Sequence, residues 1–112
     1  MEIIEKRKKQ RDEVIEQVTE FAKGLNFKCT VLLIGSYARG DFNLWSDIDI
    51  LVIGPFRGNP LERLKNIDLP VGYEAILLTP EELISRKEKN DKFIKESFQQ
   101  GFPVRDDFGL IH

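Results

Sequence analysis

Asp47 and Asp49 stand two residues apart at the head of an apolar run, Ile48–Ile53. Side chains alternate along a strand, so an extended run there turns both carboxylates to one face. Their α-carbons lie roughly 7 Å apart at the usual rise per residue, and the side chains can converge on one hard cation at about 2.1 Å from each oxygen. Carboxylates that close repel, and one stays protonated unless a divalent ion lets both ionise. The pair asks for a metal, and all-oxygen ligation fits Mg²⁺ better than zinc. Upstream, Gly35-Ser36 ends another apolar run abruptly. Glycine lets backbone approach a ligand closely and Ser36 supplies a hydroxyl. A helix beginning there turns free N–H groups and its positive end to the same spot, which suits a phosphate.

These residues need elements to hold them. Thr30–Ile34 is short, continuous and branched, the pattern of a strand covered on both faces. Residues 3–24 predict a helix, with Val14, Ile15, Val18, Phe21, Ala22 and Leu25 on one apolar face and Gly24 as a stop. Residues 5–13 hold no apolar side chain; Lys6, Arg7, Lys8, Lys9 and Arg11 mix with acids there. A solvated helix surface is the plain reading, a partner or nucleotide contact the other. Asn59-Pro60-Leu61-Glu62 and Thr79-Pro80-Glu81-Glu82 both read as capped helix starts. Tyr73–Leu78 reads as a third strand between them. The second helix is expected to run to about Gln100, where Gly101 and Pro103 stop it. Its polar middle, residues 85–92, suggests that part of it projects or docks elsewhere. Phe102, Val104, Phe108, Leu110 and Ile111 form an apolar tail that packs on the domain or completes an interface.

The chain has 112 residues, 41% of them hydrophobic, which suits one soluble domain over residues 1–112. Its 17 basic and 19 acidic residues leave a net charge of −2, so no global basic field draws it to nucleic acid or anionic membrane. The N-terminal segment is charged rather than a signal peptide, and a cytoplasmic location is expected. Cys29 is the only cysteine and is expected as a small buried side chain; an intrachain disulfide or multi-cysteine zinc site is excluded. His112, the only histidine, is the last residue, which argues against histidine-based catalysis.

Gly35-Ser36-Tyr37-Ala38-Arg39-Gly40 followed by Ser46-Asp47-Ile48-Asp49-Ile50-Leu51-Val52 resembles the motif of the DNA polymerase β-like nucleotidyltransferase superfamily, in its small prokaryotic minimal nucleotidyltransferase (MNT) branch. The resemblance implies an α/β domain with a mixed sheet of three or four strands and helices mainly on one face. It also implies transfer of a nucleoside monophosphate, AMP from ATP, to a hydroxyl acceptor. Gly35 and Ser36 would hold the triphosphate, with Asp47 and Asp49 on Mg²⁺. A third acid is expected on the strand after the intervening helix, which makes Glu74 the candidate and Asp68 the runner-up. Glu74 would bind metal, act as base, or be only a strand-edge residue. Arg39 either contacts phosphates or braces the turn through Asp41. Tyr37, Phe42 and Trp45 stack on a base or, as aromatics beside strands more often do, fill the core.

Minimal nucleotidyltransferases commonly accompany a small helical HEPN-domain protein as antitoxin to a ribonuclease toxin. The resemblance therefore implies a toxin-antitoxin pair, with a partner tyrosine as acceptor. Competing readings are a non-catalytic module that only masks its partner and an enzyme acting on a small molecule. A homo-oligomer is compatible with all three, and nucleic acid is not expected as a direct ligand.

Overall fold

The computed structural model describes residues 2–111; His112 lies outside them. Helix α1 (Glu2–Lys23) precedes strand β1 (Thr30–Ile34), short helix α2 (Gly35–Arg39) and strand β2 (Ile48–Ile53). Helix α3 (Pro60–Lys65), strand β3 (Tyr73–Leu78), helices α4 (Pro80–Glu88) and α5 (Lys92–Gln100), and strand β4 (Phe102–Asp106) follow. The sheet order is β3-β2-β1-β4: β1 runs antiparallel to both β2 and β4, and β2 parallel to β3. This is the expected mixed α/β sheet. All five residues of β1 are buried, as a continuous apolar run in a central strand requires. Among the described residues no helix is long and apolar enough to cross a membrane.

Alternation along the strands builds two cores. Val31, Leu33, Ile50, Val52 and Leu77 face Val14, Val18 and Ala22 of α1, with Ala38 of α2 and Ile67 beyond α3. Leu32, Ile34, Leu51, Ile53 and Leu78 face Leu83 of α4 and Ile94 of α5. The helices expected mainly on one face are thus α1 to α3; α4 and α5 cover the other. A central strand buried on both sides needs that second cover.

Both capped helix starts form as read. Asn59 and Thr79 each complete a reciprocal capping box, with Glu62 and Glu82, and proline occupies the first turn. The long last helix does not form: α4 stops at Glu88 and α5 begins at Lys92. Asn90 takes a left-handed conformation (φ 56°), and Asp91 caps α5 by accepting from the Ile94 N–H at 3.1 Å. The polar middle is therefore a turn, because Asn tolerates left-handed backbone and Asp competes for free helix N–H groups.

The apolar tail is also more structured than expected. Phe102–Asp106 forms edge strand β4, and Phe108, Leu110 and Ile111 pack on the second core. Proline at position 103 is tolerated because an outer strand need not donate from every residue. Arg105 ties β4 to α1, donating through Nη1 to the carbonyls of Ala22 (2.7 Å) and Leu25 (2.9 Å). Asp106 accepts from the Thr30 hydroxyl (2.8 Å) and the N–H groups of Leu110 (2.8 Å) and Ile111 (3.0 Å). Burial pushes the Asp106 carboxyl up, but these donors outweigh it and hold it below its ordinary value. Hydrogen bonding from Arg63 and Arg105 likewise depresses Glu82 and Asp107.

Carboxylates with depressed folded-state pKa values contribute stability that is complete above their unfolded values and lost as pH falls through the folded ones. The melting temperature should therefore drop by several degrees between about pH 5 and about pH 3, and Asp106→Asn should flatten that slope. Thermal melts across this range check it.

Candidate active site

The strand register brings the proposed acids together. Asp49 lies opposite Glu74 on β2 and β3, and opposite Ile34 on β1, at the edge of the face that α5 covers. Asp47 precedes β2 and is exposed. The connection leading to it is folded by its own polar side chains. The Asn43 N–H donates to Ser46 Oγ at 2.9 Å, and the Trp45 N–H to Asn43 Oδ1 at 2.8 Å. Repulsion from Asp47, then from Asp49, pushes the Glu74 carboxyl up. Burial, and then Asp47, pushes up Asp49. Hydrogen bonding with Glu74, and then the Arg39 charge, opposes the shift at Asp49 without cancelling it. Among the described residues no three acidic, cysteine or histidine side chains already stand close enough together to hold a metal ion.

Gly35 explains the tight approach. It sits at φ 72°, and a Cβ built on it would overlap the Asp49 carboxylate. Only glycine lets the start of α2 lie directly against that acid. A cavity of about 250 Å³ opens beside it, lined by Gly35, Arg39, Asp49 and Glu74 on one side and by Phe93, Glu96, Ser97 and Gln100 of α5 on the other. Ser36 is half-buried in the first turn of α2, and neither it nor Asp47 lines the cavity. Asp68 is exposed in the turn before Pro70, away from this wall.

Arg39 braces the turn, its Nε donating to Asp41 Oδ2 at 3.1 Å, and it also lines the cavity. The aromatics divide. Phe42 is buried and stacks on Tyr37 with ring centroids 4.4 Å apart, whereas Trp45 is 86% exposed and fills no core. The α5 wall was missed at the sequence level, although positions 93, 96, 97 and 100 fall on one helix face. Cys29 is buried as expected, and burial raises its thiol pKa.

The charged face of α1 is not wholly a solvated surface. Arg11 donates from Nε to the Tyr37 carbonyl (2.8 Å) and from Nη2 to the Ala38 carbonyl (3.0 Å), both in α2. Arg7 donates from Nη1 to the Phe42 carbonyl (2.7 Å) and lies over the Phe42 ring. Helix α1 thereby clamps α2 and the segment leading to Asp47. Arg11→Ala should cost about 1 to 3 kcal/mol, the scale of losing hydrogen bonds from a charged donor. It should also slow any chemistry that depends on Gly35. Arg11→Lys should recover only part, because an ammonium lacks the planar fork. Urea melts and turnover, measured together, check this.

Residues 11–105 match the family model described as nucleotidyltransferase domain. A "putative protein adenylyltransferase" of Methanocaldococcus jannaschii is 33% identical over 100 residues, spanning 82% of this chain and 99% of that protein. The crystal structure of a "putative nucleotidyltransferase" from Sulfolobus solfataricus superposes with a TM-score of 0.51 at 27% identity, covering 77% of this chain and 78% of that one.

Proposed function

The chain belongs to the nucleotidyltransferase domain family, and we propose that it transfers AMP from ATP to a tyrosine hydroxyl of a helical HEPN-type partner, as the antitoxin of a toxin-antitoxin pair. The observation that carries the chemistry is the in-register pairing of Asp49 with Glu74, with Asp47 two residues upstream and Gly35 packed under Asp49. Likeness to the "putative protein adenylyltransferase" of Methanocaldococcus jannaschii supports a protein acceptor and an adenylyl donor.

Nucleotidyltransferases of this family typically use a divalent metal, and the donor set here suits one. Asp47, Asp49 and Glu74 offer only oxygen, and the repulsion of Asp47 and Asp49 pushes the Glu74 carboxyl up. These three carboxylates would hold Mg²⁺. The chemistry such an ion supplies is charge neutralisation on the phosphoryl oxygens.

The protein's own groups account for the rest. Gly35 and Ser36 present backbone and hydroxyl to the triphosphate, and Arg39 offers a planar cation to its terminal phosphates. Glu74, its carboxyl pushed up by Asp47 and then Asp49, completes the metal site or takes the acceptor proton. Attack of the hydroxyl oxygen on the α-phosphorus breaks the bond to the β-phosphate, and pyrophosphate leaves with the bonding pair.

Mass spectrometry of the co-expressed pair tests this reading. The partner should gain one AMP on tyrosine, and the gain should vanish in Asp47→Asn/Asp49→Asn. A partner that co-purifies unmodified, and is still neutralised by the double variant, would instead make masking the mechanism.

A further inference from the structure

The cavity has two chemically different ends. At one lie Gly35 and Arg39, the latter the single basic side chain among the described residues lining it. At the other lie Ile76 and Phe93, which are 42% and 39% exposed, large apolar groups that the domain's own packing leaves half uncovered. Along the strands Asp49 and Glu74 stand level with Ile34, just before Gly35, and Ile76 stands level with Leu32, so the two acids lie between Gly35 and Ile76. Topology sets this order. Strand β1 leads straight into Gly35, whereas β3 is the outermost strand, and Ile76 follows Glu74 by two residues on the same face.

Phosphoryl transfer places the attacking and leaving oxygens roughly in line across the phosphorus. With the polyphosphate drawn to Arg39 and Gly35, and the α-phosphorus at the carboxylates, the attacking oxygen must come from the opposite side, past β3. We infer that Ile76 and Phe93 form the acceptor subsite and select an aromatic hydroxyl carried on an extended polypeptide segment. The inference rests on the nucleotidyl-transfer reading and adds to it the residues that choose the acceptor.

The choice of an aromatic acceptor follows from the walls. A sugar hydroxyl brings polar neighbours that two apolar side chains would leave unpaired, whereas a phenol brings a ring that packs against both. The choice of an extended segment follows from the strand edge. The carbonyls of Gly72 and Leu78 turn inward, to the N–H groups of Ile48 and Gly54. The Leu77 carbonyl turns outward, where Arg63 Nη1 holds it at 2.9 Å. By the same alternation Ala75 presents its backbone to the outer edge, beside Glu74, where a partner strand can pair. In the transfer the phenolic oxygen bonds to the α-phosphorus, the bond to the β-phosphate breaks, pyrophosphate departs with the electron pair, and the phenolic proton ends in bulk water.

Steady-state transfer from ATP with Mg²⁺ to N-acetyl-tyrosinamide and to glycerol, in wild type and in Ile76→Gln, Phe93→Gln and Phe93→Tyr, tests the subsite. ATP affinity is measured by calorimetry on the same samples. Both positions are part-exposed, and melting temperatures confirm that the variants fold. The expected result is preference for the phenol over glycerol, a rise of about tenfold in KM for the phenol in each glutamine variant, recovery in Phe93→Tyr, and unchanged ATP affinity. Weakened ATP binding with an unchanged KM for the phenol would make the slot a nucleoside site and overturn the inference. So would a wild type that binds ATP yet modifies the phenol no faster than glycerol, which leaves nucleotidyl transfer itself standing. A wild type that binds no ATP removes both.

Discussion

Asp47→Asn/Asp49→Asn should lower nucleotidyl transfer by about a thousandfold or more, the scale on which losing preorganised electrostatic groups acts, while leaving the fold as stable as before or more so. The two halves of this expectation have one cause. Asp49 is pushed up first by burial and then by Asp47, and Glu74 is pushed up by both aspartates, so the folded protein holds negative charges that resist one another. A carboxylate whose folded-state pKa is raised weighs against folding once pH exceeds its unfolded value, and that penalty fades as pH falls. Replacing two of the three charges with amides of the same shape removes the repulsion together with the ligands. Mg²⁺ should accordingly raise the melting temperature of the wild type, because a cation bound by the folded state alone stabilises it, and leave the variant unmoved. Thermal melts with and without Mg²⁺, alongside rates, read both effects. A variant that unfolds more easily than wild type in chelator would contradict this electrostatic account.

Gly35→Ala is the second large effect. Its backbone sits at φ 72°, and an alanine Cβ would overlap the Asp49 carboxylate. The left-handed conformation alone costs a non-glycine residue roughly 1 kcal/mol, which in a domain of this size lowers the melting temperature by about 4 to 8 °C. The overlap also has to be relieved, and the movable partner is the acid at the centre of the site. A misplacement of about 1 Å can cost a hundredfold in rate, so transfer should fall at least that far even where the protein remains folded. Gly40→Ala is the matched control. That residue also has positive φ (89°), but an added Cβ there meets nothing within 4 Å. It should share the loss of stability and keep most of the activity.

Strands β1, β2 and β3 were legible because each is an uninterrupted branched run bounded by turn residues, and the two capped helices because Asn59 and Thr79 sit three residues before glutamates. What escaped did so for identifiable reasons. Pro103 disguised β4, since proline in a short run argues against a strand unless its place at the sheet edge is known. Asn90-Asp91 is a helix break that side-chain periodicity does not report, because residues 85–92 carry no apolar side chain that would show where the helix face changes. Arg7 and Arg11 looked solvated because their partners are backbone carbonyls 26 to 35 residues away, which charge patterning cannot reveal. Asp47 and Asp49 were singled out by their spacing and Glu74 by the resemblance; that Glu74 stands opposite Asp49 is visible only in the strand register. Phe93, Glu96 and Gln100 became part of the site once α5 had its own cap and lay across the sheet.

The most direct test of the central claim, that Asp47, Asp49 and Glu74 with Gly35 make this chain a metal-dependent nucleotidyltransferase, is incubation with ATP labelled on its α-phosphate and the helical partner while pyrophosphate release is followed. The account predicts label on the partner in step with pyrophosphate, abolished by chelator and by Asp47→Asn/Asp49→Asn. Label transfer and pyrophosphate release that persist unchanged in the folded double variant, or a complete absence of both from the wild type with Mg²⁺ and partner present, would contradict it.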